Sequence, residues 1–130
     1  MTLLCMNEPR LKLSAKLCLG SGEKGYIGPG RVRLLKLVRE LGSLRRAAQE
    51  LNMSYRWAWD HVNAAEKALG CSLLVRTEKG KSGRPSELTQ EARALVDWYD
   101  SVEERLRQAL REEDRMIPAF LRPKAPAAKP

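Results

Sequence analysis

The stretch that most constrains the chain is SLRRAAQELNMSYRWAWDHVNAAEKALG, Ser43 to Gly70. It reads as two short helices joined by a tight turn. The first runs from about Ser43 to Leu51, with Ser43 as its N-cap, because a serine hydroxyl can accept from a free backbone N–H of the first turn. Ala47 and Ala48 give this helix a side with almost no bulk, which lets a second helix cross it closely. Asn52 suits the left-handed conformation that ends a helix, and Met53 is apolar enough to fill the gap beneath the turn. Ser54 then caps a longer second helix, which Gly70 stops.

Around this pair the chain has 130 residues, the size of one domain with an appended element. With 24 basic residues against 16 acidic ones, its formal charge is +8. A basic domain of this size points to a polyanionic partner, first nucleic acid and second an anionic membrane surface. No apolar run approaches the roughly 20 residues needed to span a bilayer, so no membrane partner is expected. The N-terminal apolar run is short and is broken by Asn7, Glu8, Pro9 and Arg10, unlike a signal peptide, and a cytoplasmic location is expected.

Catalytic chemistry finds little support. Cys5, Cys18 and Cys71 are odd in number and far apart, so neither a zinc knuckle nor a redox pair is offered, and reduced, partly buried thiols are expected. His61 is the one histidine, and without a matched Cys or carboxylate cluster it suggests a packing residue rather than a base or a metal ligand. No phosphate-cradling glycine loop is present. The expectation is a non-enzyme with no cofactor, no metal and no small-molecule ligand.

Along the chain, residues 1–10 read as a flexible leader. From Leu11 to Leu19 apolar and polar residues alternate, which predicts a strand. GSGEKG, Gly20 to Gly25, is a turn cluster, and Tyr26-Ile27 is a short return strand, giving an N-terminal β-hairpin. Pro29 suits the first turn of a helix over Arg31 to Gly42. In that helix Leu34, Leu35, Val38 and Leu41 form an apolar stripe, while Arg31, Arg33, Lys36 and Arg39 face solvent. After Gly70, Leu73 to Thr77 and Glu87 to Thr89 are strand candidates flanking the basic loop KGKSGRPS, Lys79 to Ser86. Two helices followed by a ribbon with a basic tip describe a winged helix-turn-helix, whose second helix enters a DNA major groove.

A last helix begins after the N-cap candidate Thr89 and runs to about Arg115. Leu88, Ala92, Leu95, Tyr99, Val102, Leu106 and Leu110 are spaced 4, 3, 4, 3, 4, 4, close to an apolar heptad seam. Its polar face is acidic, at Asp97, Asp100, Glu103, Glu104, Glu112, Glu113 and Asp114, and does not suit DNA. A helix packed on its own domain accounts for the first half of the seam and leaves the second half for a partner. The expectation is a homodimer through Leu95, Tyr99, Val102, Leu106 and Leu110. Residues 116–130 are dominated by proline, alanine and lysine and read as a disordered basic tail. The fold expectation is therefore mainly α with small β elements: a hairpin and winged helix-turn-helix over residues 11–89, then a long C-terminal dimerisation helix over 90–115.

Ser43 to Arg76 resembles the helix-turn-helix of LysR-type regulators. The shared features are Gly-Ser-Leu, AAQEL, Met-Ser opening the next helix, a Glu-x-x-Leu-Gly stop at Glu66 to Gly70, and Leu73 and Arg76 beyond it. Within that group the chain is more similar to the N-terminal domain of the molybdate-responsive ModE regulators. The hairpin leading into GPGR (Gly28 to Arg31), the string SYRWAWD (Ser54 to Asp60) and a Gly/Lys-rich wing before Leu88-Thr89 carry that resemblance over roughly residues 11–111. It implies a DNA-binding dimer on a roughly palindromic operator. The chain departs from the family in its wing, where Arg84-Pro85 stiffens a shorter glycine run, and in ending soon after the long helix. The family's molybdate-binding domains lie beyond that point, so molybdate sensing is not carried over.

On the second helix Ala58, Val62, Ala65 and Leu69 should face the core, leaving Ser54, Tyr55, Arg56, Asp60 and Asn63 opposite. Tyr55 and Arg56 are the base-contact candidates, since arginine can bond two guanine acceptors at once. Asn63 suits an adenine or a phosphate, with a plain surface role as the alternative, and Ser54 can touch a phosphate while capping. Trp57 is placed toward a sugar or thymine methyl, and Trp59 beside the hairpin or wing. Arg45 and Arg46, for which a solvated role is the alternative, and Lys79, Lys81 and Arg84 in the wing, are the backbone candidates. Two other readings fit the sequence: a protein-interaction or heterodimerising module derived from such a regulator, and a nonspecific architectural DNA binder.

Overall fold

The computed structural model describes residues 11–21, 24–75 and 86–121. The elements are β1 (Leu19–Ser21), β2 (Lys24–Ile27), α1 (Pro29–Leu41), α2 (Leu44–Glu50), α3 (Tyr55–Leu69), β3 (Leu74–Val75), β4 (Glu87–Leu88) and α4 (Gln90–Asp114), with a 3-10 turn at Ala119–Leu121. Lys16–Glu103 form one compact unit, and the described parts of Met1–Ala15 and Glu104–Pro130 form a second.

In the first unit, β1 and β2 pair antiparallel, Leu19 opposite Ile27, Gly20 opposite Gly25 and Ser21 opposite Lys24. The register shifts between Leu19 and Gly20, so Tyr26 has no residue opposite it. The long strand expected from Leu11 does not form: residues 11–18 have no regular structure. A strand needs a partner along its length, and β2 has only four residues to offer. The alternation still has a packing consequence, because Leu17 and Leu19 rest against the core while Leu11 and Leu13 remain exposed.

Helix α1 starts where Pro29 needs no hydrogen-bond acceptor and ends where Gly42 adopts φ 71°, a left-handed conformation costly for other residues. It buries Val32, Leu34, Leu35 and Val38. Only part of its basic face is solvated. Lys36 Nζ lies 2.9 Å from Asp100 Oδ1 and Arg39 Nη1 3.1 Å from Asp97 Oδ1, so two cations of α1 meet the acidic face of α4. Both pairs are well exposed, and each contributes on the order of 0–1 kcal/mol. Arg31 does not face solvent; it is half-buried and bonded to two other elements.

The expected helix pair forms as α2 and α3. Ser43 Oγ accepts from Arg46 N at 3.2 Å and Ser54 Oγ from Trp57 N at 3.0 Å. Asn52, at φ 57°, makes the turn. Met53 N donates to Ala48 O at 3.0 Å, and the Met53 side chain packs on the core. Ala47, Ala48, Ala58 and Ala65 are fully buried, the small residues that close helix packing requires. Gly70 ends α3 at φ 76°.

The wing's base is held by side chains as much as by its short ladder, in which Leu74 faces Leu88 and Val75 faces Glu87. Glu66 Oε2 accepts from Leu73 N at 2.7 Å and Leu74 N at 3.3 Å. Ser86 N donates to Gly42 O, and Ser86 Oγ accepts from Leu44 N, which ties the returning strand to the link between α1 and α2. Thr89 caps α4 by accepting from Ala92 N at 3.1 Å. The expected wing tip, with Lys79, Lys81 and Arg84, lies outside the described residues, as do Arg76, Thr77, the leader 1–10 and the tail 122–130.

The seam on α4 divides. Ala92, Val96 and Tyr99 are buried in the first unit, and Leu95 packs partly on the same core. Tyr99 is 1 % exposed and its hydroxyl donates to Leu17 O at 2.7 Å, so this residue serves its own domain and does not offer the partner surface expected of it. Val102 is half-buried, and Trp98, absent from the expected seam, is exposed. In the second unit Leu106 and Leu110 are half-buried, and Leu13 N donates to Asp114 Oδ1 at 3.0 Å. Residues 119–121 form a 3-10 turn where a disordered tail was expected.

Candidate nucleic-acid interface

The first two turns of α3 put their polar and aromatic side chains outward because Ala58, Val62 and Ala65 take the inward positions. Ser54, Tyr55, Arg56, Trp57 and Asp60 are all exposed, and Asn63, two turns on, is half-buried. Arg56 is exposed and makes no hydrogen bond or ion pair among the described residues, and a guanidinium carries five donors.

The aromatic residues are fixed in a way the sequence did not disclose. The Arg45 guanidinium, from the first turn of α2, lies 4.3 Å above the Tyr55 ring centroid. Tyr55 meets Trp59 edge to face, with centroids 6.2 Å apart, and Trp59 itself packs against the core. Trp57 stacks on His61 at 5.3 Å with 18° between the ring planes. Arg45, expected to contact a backbone phosphate, is thus half-buried against Tyr55, whereas Arg46 beside it is exposed.

Behind this face, Arg31 Nη1 donates to Tyr26 O at 2.6 Å and Nη2 to His61 Nδ1 at 3.3 Å. Burial, and next the Arg31 charge, push His61 below its usual 6.5, with Asp60 opposing. Neither Arg31 nor His61 was a site candidate from the sequence. The Trp57–His61 spacing of one helical turn could have suggested the stack, but the Arg31 contact joins residues 30 positions apart and has no local signature. No group of three or more His, Cys, Asp or Glu side chains that could hold a metal occurs among the described residues.

A helix pair closed by alanines, a second helix with an open N-terminal turn, and a two-stranded ribbon behind it define a winged helix-turn-helix. Residues 30–93 match the family described as "Bacterial regulatory helix-turn-helix protein, lysR family", and this domain belongs to that family. Among curated proteins the chain is 42% identical over 78 residues to the transcriptional regulator ModE of Haemophilus influenzae, covering 60% of this chain and 31% of that protein. It is 30% identical over 96 residues to the molybdenum transport protein ModE of Azotobacter vinelandii, covering 74% and 36%. The chain therefore spans about a third of the length of these relatives. Among solved structures, ArgP from Mycobacterium tuberculosis superposes with a TM-score of 0.51 at 25% identity, over 67% of this chain and 30% of ArgP. The DNA-binding domain of BenM, in complex with benA site 1 DNA, shares the fold with a TM-score of 0.53 at 21% identity, over 67% of this chain and 92% of that one. No helix among the described residues is long and apolar enough to cross a membrane.

Proposed function

We propose that the chain is a sequence-specific transcriptional regulator of the cytoplasm, binding double-stranded DNA with α3 in the major groove. The observation that carries this reading is the exposed Tyr55-Arg56-Trp57 turn at the start of a helix whose opposite side buries Ala58, Val62 and Ala65. Arg56 reads a guanine through two parallel hydrogen bonds, worth roughly 1–3 kcal/mol of discrimination. Tyr55 and Trp57 contact neighbouring bases or sugars, and Asn63 an adenine or a phosphate. Ser54 and Arg46, with Lys79, Lys81 and Arg84 from the wing, bind phosphates and set the register without reading sequence. The formal charge of +8 supports a strong phosphate term. The family match and the names of the ModE relatives support regulation as the role, and no catalytic activity is proposed.

The working form is a homodimer on a roughly palindromic operator with half-sites about one helical turn apart, ~10 bp or a multiple. Since Tyr99 and Leu95 are engaged within their own domain, the contact falls to Leu106 and Leu110 further along α4, and to Val102. Selection of bound fragments from a random duplex pool tests the reading. A two-fold symmetric consensus is expected, and recovery of unrelated fragments in equal yield would refute it.

A further inference from the structure

On α3, Trp57 and His61 stand one turn apart with their rings stacked. Trp57 is 57% exposed, and an indole so placed normally samples several rotamers. Here a second ring fixes one face of it. His61 is held in turn, because Arg31 Nη2 donates to its Nδ1 at 3.3 Å while Nη1 donates to Tyr26 O at 2.6 Å. An arginine cannot accept a hydrogen bond, so Nδ1 must offer its lone pair, and the imidazole is neutral with its proton on Nε2. Arg31 Nε is buried without a partner, and among the described residues those two bonds anchor the guanidinium. A proton added to His61 goes to Nδ1. It removes the acceptor and sets a second cation against the guanidinium.

We infer that Arg31 and His61 form a proton-dependent bracket that sets the orientation of the Trp57 ring and, through it, the sequence preference of α3. The second half of this inference rests on the DNA-binding reading; the first does not. Arg31 and His61 are positioning residues here, acting through Trp57. Among the described residues, the charged and titratable groups acting on His61 or sharing its hollow are Asp60 on its own helix, Arg31 and Arg33 of α1, and Lys16 and the Cys18 thiol from the segment before the hairpin. Lys16, Cys18, Arg31, Arg33 and His61 line one hollow of about 730 Å³. Burial, and next the Arg31 charge, favour the neutral imidazole against the opposing Asp60, and so favour the closed bracket.

The full chain labelled with 5-fluorotryptophan gives one fluorine signal for each of its three tryptophans, and Trp57→Phe assigns the relevant one. Between neutral pH and about pH 5 the Trp57 signal should move as a one-proton titration with its midpoint below 6.5. In His61→Gln, whose amide oxygen can accept from Arg31 at any pH, the signal should stay still. In Arg31→Gln it should already lie displaced at neutral pH. A Trp57 signal that is still in the parent chain, or that moves identically in His61→Gln, overturns the bracket. For the coupling, anisotropy at constant salt compares a duplex selected at neutral pH with its scrambled counterpart. The ratio of their affinities should fall several-fold at acid pH in the parent chain and stay level in His61→Gln. A ratio with the same pH slope in both overturns the coupling. A ratio of one at every pH refutes the DNA reading and this half with it, and leaves the fluorine result to decide the bracket.

Discussion

The guanidinium of Arg45 rests 4.3 Å above the ring of Tyr55, so the first turn of α2 and the first turn of α3 are clasped at the solvent face of the helix-turn-helix. A cation over an aromatic face at a largely exposed site contributes about 0.5–1 kcal/mol. Arg45→Ala should lower unfolding free energy by about that amount in urea denaturation. It should also weaken binding to a selected duplex more than to a scrambled one, because Tyr55 loses its fixed position. Arg46→Ala, removing an exposed side chain, should weaken both duplexes alike.

Glu66 anchors the start of the wing. One carboxylate oxygen accepts from two successive backbone N–H groups, of Leu73 and Leu74, whose side chains are buried. Glu66→Ala leaves both donors without this acceptor. It should cost about 2–3 kcal/mol by chemical denaturation, within the range for hydrogen bonds to a charged group. Glu66→Gln keeps an acceptor oxygen and should recover about half of the loss.

Tyr99 ties α4 to the segment before the hairpin. Tyr99→Phe removes the bond to Leu17 O and should cost about 1 kcal/mol. Burial, followed by the charges of Glu103, Cys18 and Asp100, raises the Tyr99 hydroxyl above its ordinary 10.0. A group whose folded pKa is raised stabilises the fold fully below its unfolded value. The contribution is lost as pH climbs through the folded one. Stability of the parent chain should therefore fall above pH 10.0 more steeply than that of Tyr99→Phe.

His61 gives the opposite sign at the acid end. Its folded pKa lies below 6.5, so the unfolded chain takes up the proton first as pH falls. Its contribution is complete above 6.5 and is lost as pH falls through the folded value. Thermal midpoints followed downward from neutral pH should show this step in the parent chain, and a shallower course in His61→Gln.

What the sequence disclosed was mainly what periodicity and caps encode. Ala58, Val62 and Ala65 fall on the buried side of α3 as their spacing requires, and Ser43, Ser54, Asn52 and Gly70 mark the helix ends by their own chemistry. Two misreadings have a common cause. The alternation from Leu11 describes which residues want cover, and so does the heptad on α4; neither says which neighbour supplies it. The strand found no partner beyond Leu19, and Tyr99 found one inside its own domain. Arg31 misled differently: on a helical wheel it joins the solvated cations, yet the Tyr26 carbonyl and His61 draw it inward. Contacts of this kind, between residues far apart in the chain, are fixed only once the elements have packed.

The central claim is that Arg56 reads a base. The most direct measurement is the ratio of affinities for a selected duplex and the same duplex with the contacted G·C pair inverted, taken at one salt concentration for the parent chain and for Arg56→Ala. A bidentate pair worth roughly 1–3 kcal/mol predicts that the ratio collapses by about 5- to 150-fold in the variant while binding to the inverted duplex changes little. An unchanged ratio in Arg56→Ala would contradict the account.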